Sequence, residues 1–502
     1  MFELAEAGNR LEKDDYEKAA AELRPALLAL EQKLREAKDM AVAVLIGGVE
    51  GAGKIETANL LMSWLDPRSV EVNAFGPDDE SRGRPPFYRF WMHLPPKGKL
   101  GIFYGSWYTD PIVRFASGDM KKAQFAHELE KIRTFERHLA AERVLLVKFW
   151  LHLSKDAQKK RRKKLAKDPR KAWMLATPQE HRYFKLYDEF YAASEEALRV
   201  TSTAEAPWTV VEAADRRWRE ATVARTLLDA MSAAMEARPA AGPKPMAVPK
   251  KKPRTALDAI DLTRTVARAV YEKELEELQA DIGRLAWEAL ERGVSTALVF
   301  EGWDAAGKGG AIRRLTQGLD ARNYRVVPIG APAEEERARP YLWRFWRHLP
   351  PSGRLTVFDR SWYGRVLVER VEGFCRPEDW KRAYSEINDF EAQLAANGTR
   401  LAKFWLHITP EEQVRRFEER RDTPHKRYKL TEDDWRNRRK WNAYLAALDE
   451  MFARTSTSIA PWTIVPAEDK LGGRLCVLRT YRDLLKSALK KSRKTRQAVV
   501  LD

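Results

Sequence analysis

Residues Gly302-Trp-Asp-Ala-Ala-Gly307-Lys308-Gly309-Gly310 decide how this chain is read. They follow a short apolar run, Thr296–Phe300, and open a helical pattern from about Gly309. A G-x-x-x-x-G-K string between a strand and a helix is the setting in which this pattern binds phosphate. Glycines let the backbone curl so that successive N–H groups face one phosphate. The helix N-terminus adds partial positive charge, and the lysine reaches the transferring phosphates. Gly302, Ala305, Ala306, Gly307, Gly309 and Gly310 are therefore expected to line a phosphate, with Lys308 as the cation of the reaction. The plain alternative is a Gly-rich turn.

One position departs from the pattern. Gly309 stands where a Ser or Thr hydroxyl ordinarily holds Mg²⁺. Metal binding then falls to carboxylates: Asp304 inside the loop, and Asp359 at the end of the apolar run Leu355–Phe358. Arg360 follows Asp359 and has the planar fork that clamps an anionic acceptor through two parallel hydrogen bonds.

Further short apolar runs lie at Arg325–Ile329, Leu401–Leu406 and Thr463–Val465. Long helical segments separate them, such as Pro377–Asn397, which stops at Gly398. Strands alternating with helices predict an α/β fold, a parallel sheet covered on both faces.

The whole arrangement occurs twice. Lys-Phe-Trp-Leu-His stands at Lys148–His152 and at Lys403–His407, and Arg-Phe-Trp-x-His-Leu-Pro-Pro at Arg89–Pro96 and Arg344–Pro351. Ser-Trp-Tyr recurs at Ser106 and Ser361, Thr-Ser-Thr at Thr201 and Thr455, Ala-Pro-Trp-Thr at Ala206 and Ala460. The offset stays at 254 or 255 throughout, so the chain is a tandem duplication. Between the copies, 238–254 carries five prolines and several lysines, the composition of a stiff, extended linker. The expected domains are 1–237, the linker 238–254, and 255–502.

The rest of the chain narrows the function class. At 502 residues it is too long for one core. Its longest apolar runs fall short of the roughly 18 residues a membrane span needs. The acidic start, MFELAEAGNRLEKDDYEK, lacks the basic end and apolar stretch of a signal peptide. Two cysteines, Cys375 and Cys476, make neither a disulfide framework nor a metal site. A cytoplasmic protein, with no membrane partner, is the expectation. The net charge of +17 favours a polyanionic partner, although the tail Lys486–Arg496 accounts for part of it.

Four strings together resemble the polyphosphate kinase 2 family. They are Glu301-Gly-Trp-Asp-Ala-Ala-Gly-Lys-Gly-Gly, Phe358-Asp-Arg-Ser-Trp-Tyr-Gly-Arg-Val-Leu-Val-Glu-Arg-Val, Lys426-Arg-Tyr-Lys-Leu and Ala460-Pro-Trp-Thr-Ile-Val-Pro-Ala-Glu-Asp-Lys. The resemblance covers nearly all of the C-terminal copy and, more weakly, the N-terminal one. It implies two tandem P-loop kinase-like domains, each with a helical lid. It also implies transfer of a phosphoryl group between inorganic polyphosphate and a nucleotide, with Mg²⁺ (Mn²⁺ as the substitute). The form Asp359-Arg-Ser-Trp-Tyr-Gly-Arg is similar to that of members that phosphorylate AMP to ADP. Asp304, Lys308, Asp359 and Arg360 then become the expected catalytic set, with Asp304 and Asp359 on the metal.

Pro410–Lys440 is the segment expected to form the lid. It offers Arg415, Arg416, Arg420, Arg421, Lys426, Arg427 and Lys429, of which Arg420 and Arg427 are chosen to contact polyphosphate. Glu411, Glu412, Glu418 and Glu419 fit a merely solvated face for some of these cations. For the base, Trp303, Trp343, Trp346, Trp362 and Tyr363 offer aromatic faces, with core packing the commoner use. Trp405, His407 and His348 are expected to be structural.

Read against its twin, the N-terminal copy is depleted. Asp304 becomes Glu50, Gly309 becomes Ile55, Asp359 becomes Tyr104 and Arg360 becomes Gly105. Arg420 and Arg427 become Leu165 and Ala172. Lys54 survives, and Ile55 is expected to crowd the turn. This copy is expected to be inactive, a folded companion of the other. Rival readings are transfer to ADP, polymer synthesis from nucleotide, or a polyanion-binding protein with relic loops. No nucleic-acid module is evident, and a homo-oligomer is left open.

Overall fold

The computed structural model describes residues 1–76, 83–167, 185–237, 242–424 and 431–499. The backbone divides into two compact units, one carrying each phosphate-loop sequence. The division departs from a single cut in the linker: Ala333–Trp343 group with the first unit, and residues 83–88 with the second. Residues 242–254 form no helix or strand. They do not float as a free spacer, because Met246 N–H donates to Val371 C=O at 3.3 Å and Asn442 Nδ2 donates to Pro249 C=O at 3.2 Å. Both contacts lie within the second unit.

Unit 1 contains β1 (Ala41–Gly48), β2 (Val70–Ala74), β3 (Leu100–Tyr104), β4 (Val144–His152) and β5 (Trp208–Glu212). Unit 2 contains β6 (Thr296–Gly302), β7 (Tyr324–Pro328), β8 (Leu355–Asp359), β9 (Arg400–His407) and β10 (Trp462–Pro466). The strand orders are β2-β3-β1-β4-β5 and β7-β8-β6-β9-β10, and every pairing is parallel. Central strands buried on both faces read as unbroken apolar runs; Val42, Val44 and Val299 show no exposed surface.

The helices that matter for the sites are, in unit 1, α1 (Lys13–Ala37), α2 (Lys54–Trp64), α3 (Thr109–Ala116), α4 (Lys122–Ala141), α5 (Lys155–Ala166), α6 (Tyr187–Thr201) and α7 (Arg216–Glu236). Unit 2 has α8 (Arg268–Glu291), α9 (Lys308–Thr316), α10 (Pro377–Ala396), α11 (Pro410–Asp422), α12 (Glu432–Arg439), α13 (Trp441–Thr455) and α14 (Lys470–Val499). The five expected strands of unit 2 all form, with ends shifted by no more than two residues. The helix expected over Pro377–Asn397 forms as α10, and Gly398 follows at φ 88°. The lid segment splits into α11 and α12.

One buried polar network is built twice. In unit 2, Lys403 Nζ on β9 sits 2.8 Å from Glu391 Oε2 on α10, and donates to Tyr363 Oη and Thr455 C=O. Trp362 Nε1 and Tyr363 O–H both donate to Glu391 Oε1. In unit 1, Lys148, Glu136, Tyr108, Thr201 and Trp107 repeat every bond. The Lys-Phe-Trp and Ser-Trp-Tyr repeats thus have a physical reason: the first supplies the lysine of one sealed ion pair, and the second the Trp and Tyr that donate to its glutamate. A buried lysine and glutamate persist only if nearly every donor and acceptor is matched.

Candidate active site

The site of unit 2 is assembled where β6 and β8 end side by side, Phe300 pairing with Asp359. Gly302 closes β6 at φ 149°, and a Cβ there would meet Leu406 C=O at 2.7 Å, so only glycine turns the chain here. The loop then runs through Ala305 and Ala306 to Gly307, the cap of α9, with Gly309 and Gly310 in its first turn. The side chain of Lys308 folds back over it and donates to Gly302 C=O at 2.7 Å and Trp303 C=O at 3.2 Å. Burial depresses the Lys308 ammonium below its ordinary value.

Asp304 and Arg360, neighbours only in space, meet at 3.2 Å. Asn437 Nδ2 on α12 donates to the other Asp304 oxygen at 2.9 Å, and Gln413 Nε2 on α11 donates to its backbone carbonyl at 3.1 Å. The lid segment is thereby tied to the loop through one residue, by its carboxylate and its backbone carbonyl. Asp359 stands at the tip of β8, and its carboxylate accepts no hydrogen bond among the described residues.

Arg360 adopts φ 64° and Ala305 also φ 64°. A non-glycine residue in this region costs on the order of 1–2 kcal/mol. Unit 1 has glycine at both equivalent places, Gly105 at φ 72° and Gly51 at φ 78°. The same turns are therefore strained in the copy that keeps its charged residues and relaxed in the copy that lost them. Arg360→Gly is expected to lower kcat at least about 100-fold, as loss of one charge-stabilising donor does. The thermal midpoint should stay level or rise, which paired kinetic and calorimetric measurements would check.

Several residues of the site escaped the sequence reading. Glu301, buried at the end of β6, accepts a hydrogen bond from Ser361 Oγ at 2.8 Å. It ties the β6 loop to the turn that carries Asp359 and Arg360. Burial pushes its carboxyl above the usual range. Gly47 occupies its place in unit 1, a difference visible in the internal comparison. Trp441 is the second: it stacks on Trp303 with ring centroids 3.6 Å apart.

Arg416, taken as one of several lid cations, is 2% exposed and braces the loop from below. It donates to the carbonyls of Ala305, Ala306, Ala467 and Glu468. Arg415 and Arg421 pair with Glu412 and Asp422.

Two cavities flank the loop. One of about 90 Å³ is bordered by Trp303, Asp304, Arg360, Asn437, Trp441 and Tyr444. The other, about 210 Å³, is bordered by Ala306, Gly307 and Gly310, with Arg416, Arg420, Lys470 and Arg474. Arg420 borders this second cavity, whereas Arg427 and Ala172 lie outside the described residues, as does the side chain of Leu165. Of the aromatic candidates, Trp303 borders the first cavity. Trp362, Tyr363 and Trp346 are core residues, the last against Phe390, and Trp343 is likewise buried. His407 Nδ1 accepts from Trp303 Nε1 at 3.1 Å, and burial lowers its pKa to about 4, so the ring is a neutral support.

In unit 1, Glu50 reaches Lys54 directly, 2.9 Å away. The expected crowding by Ile55 does not occur. A Cβ at the equivalent Gly309 meets nothing within 4 Å, and Ile55 simply points outward, 44% exposed.

The profile of the family described as Polyphosphate kinase 2 (PPK2) matches residues 10–239 and 265–493. The chain belongs to the polyphosphate kinase 2 family. It is 50% identical over 497 residues to a Pseudomonas aeruginosa protein named polyphosphate:AMP phosphotransferase, covering 98% of this chain and 100% of that one. A protein of the same name from Pseudomonas syringae pv. tomato is 46% identical, with the same coverage. An ADP-polyphosphate phosphotransferase of Pseudomonas aeruginosa is 41% identical over 215 residues, 43% of this chain and 71% of its own. A crystal structure from Pseudomonas aeruginosa assigned to polyphosphate kinase 2 superposes with a TM-score of 0.89 at 48% identity, over 98% of this chain and 100% of that one. The polyphosphate kinase 2 fold is P-loop kinase-like, and here it occurs as two tandem domains. Kinases of this family depend on a divalent metal. No helix among the described residues is long and apolar enough to cross a membrane.

Proposed function

We propose that the chain is a polyphosphate:AMP phosphotransferase whose chemistry runs in unit 2. The observation that carries this is the relative of that name, 50% identical over 98% of this chain and the full length of its own. In the proposed reaction an oxygen of the AMP phosphate attacks the terminal phosphorus of polyphosphate. The bridging P–O bond breaks, giving ADP and a chain one phosphate shorter.

Such transfers need positioning and charge neutralisation more than covalent help. Lys308 and the loop amides hold the phosphoryl group in transit. The cationic cavity with Arg420, Lys470 and Arg474 suits the polyphosphate chain. The small cavity bordered by Trp303, Trp441 and Arg360 suits the phosphate of the acceptor, met there by Arg360.

Asp304 and Asp359 offer the hard oxygen donors that Mg²⁺ prefers, and Asp359 has its lone pairs uncommitted. With only two carboxylates, the cation would complete its shell with water and phosphate oxygens. Once bound it would neutralise charge on the transferring phosphates. Mn²⁺ takes similar ligands. Residues 1–237 form, in this reading, a degenerate domain without turnover, and the reaction is cytoplasmic.

Incubating the purified protein with polyphosphate, Mg²⁺ and either AMP or ADP tests the assignment. ADP formed from AMP supports it, and its absence overturns it. ATP formed from ADP as the faster product would favour the second reading, for which the ADP-using relative speaks. The depressed Lys308 adds a pH prediction. The required ammonium form is lost as pH rises through a pKa lower than the ~10.4 of an ordinary lysine. The alkaline fall in kcat/KM, which reports the free enzyme, should therefore come earlier than that and vanish as a distinct limb in Lys308→Arg.

A further inference from the structure

The carboxylate of Asp304 is held at both oxygens. Arg360 Nη2 donates to Oδ1 at 3.2 Å, and Asn437 Nδ2 donates to Oδ2 at 2.9 Å. The amide of Asn437 is itself oriented, because Tyr444 O–H donates to its Oδ1 at 3.2 Å. That bond decides which end of the amide faces the loop, its NH2 rather than its carbonyl. Tyr444 lies on α13 and is 8% exposed. A hydrogen-bonded line therefore runs from a buried ring, through the lid helix α12, to the loop carboxylate.

The internal duplicate separates this line from what the fold requires. Gln413 Nε2 donates to Asp304 C=O at 3.1 Å, and in unit 1 Gln158 Nε2 donates to Glu50 C=O at 2.9 Å. A tie kept in both copies belongs to the folded loop. The line to the carboxylate is not kept. By the 254 offset Tyr444 becomes Phe190, which has no hydroxyl, and Asn437 becomes Tyr183, which lies outside the described residues. Arg360 becomes Gly105, and Glu50 pairs with Lys54 instead. The line thus stands in the copy that retains Asp304, Asp359 and Arg360.

Its chemistry fits a ligand being aimed. Each carboxylate oxygen offers two lone pairs. One donor on each oxygen fixes the carboxylate plane and leaves a lone pair on each for a cation. The Asp304 side chain keeps 13% of its surface exposed, and it borders the same cavity as Asn437 and Tyr444. An amide also brings no charge of its own. It orients the carboxylate without cancelling it, as Lys54 cancels Glu50.

We propose that Asn437, set by Tyr444, is a positioning residue that aims Asp304 at the catalytic cation, so that the lid helix α12 governs how tightly the cation is held. This rests on the reading of Asp304 as a metal ligand. Partners that orient a ligand typically cost about 10–100-fold in metal affinity or activity when removed.

Asn437→Leu keeps the side-chain volume and removes the donor. In the full-length chain it should raise the Mg²⁺ concentration for half-maximal ADP formation by about 10–100-fold. The KM for AMP should move by less than about threefold, since the acceptor site keeps Arg360. Tyr444→Phe, which frees the amide to turn, should shift the Mg²⁺ requirement the same way by a smaller factor. Mn²⁺ titrated with AMP present and polyphosphate absent, so that nothing turns over, reads affinity directly by electron paramagnetic resonance. Asn437→Leu should bind it more weakly by the same factor. A merely structural role would lower the unfolding midpoint and leave both metal constants at native values, and that outcome overturns the proposal. Asp304→Asn separates the two levels. If it abolishes Mn²⁺ binding while Asn437→Leu leaves it intact, the positioning role alone fails. If Asp304→Asn binds Mn²⁺ as the native chain does, or the native chain binds none, the metal reading of Asp304 fails and the proposal with it.

Discussion

Lys308→Ala is expected to reduce kcat for ADP formation by at least about a thousandfold, whereas Lys54→Ala leaves it within about twofold. The first loss has the size seen when a preorganised charge is removed from a phosphoryl-transfer site. Of the other cations at the loop, Arg360 is engaged with Asp304 and Arg416 is spent on four backbone carbonyls, while Arg420, Lys470 and Arg474 border the neighbouring cavity. Lys54 occupies the same position in its own unit, yet Glu50 has already neutralised it. Steady-state assays of both variants read the outcome directly. Equal inactivation would show turnover to require both loops and would overturn the division into one working and one degenerate copy. Asp359→Ala should match Lys308→Ala, and its defect should resist added Mg²⁺.

The second large effect is on stability. Lys403→Met is expected to destabilise unit 2 by about 3–5 kcal/mol, since it strands Glu391 as a buried charge without a cation. For a unit of this size that corresponds to a fall of roughly 10 °C in its unfolding midpoint. Trp362 and Tyr363 donate to the same carboxylate and directly follow Asp359, Arg360 and Ser361 in sequence. Activity should therefore fail below the temperature at which the rest of the unit melts. Adding Glu391→Leu should recover much of the loss, because two apolar residues leave no charge to strand. Lys148→Met should lower the unfolding of unit 1 in the same way while sparing turnover at low temperature. Calorimetry separates the two units by which transition moves.

Much of this was legible in the sequence. The 254–255 offset revealed the duplication, and strand–loop–helix context placed Gly302–Gly310 at the head of β6. Asp304 and Arg360, 56 positions apart, did come together. What could not be read were the contacts set by tertiary packing. Arg416 looks like its neighbours Arg415 and Arg420, and only the path of α11 beneath the loop turns it inward. Trp441 gives no local sign that it will stack on Trp303. Glu301 was hidden because a glutamate ending an apolar strand resembles a solvent-facing terminus, though its replacement by Gly47 was available as a clue. The crowding assigned to Ile55 failed for a related reason: its position lies on the outward side of the first turn of α2, 44% exposed.

Gly105 has a consequence for the history of the chain. With no side chain at that turn, Phe75 C=O lies where a Cβ would meet it at 2.7 Å. An arginine placed at position 105 would collide with that carbonyl, and the loop carboxylate it would need, Glu50, is held by Lys54. The first copy is held on its present side by a molecular ratchet: each compensating shift blocks single-step reversion, leaving later change free to explore other uses of the same fold.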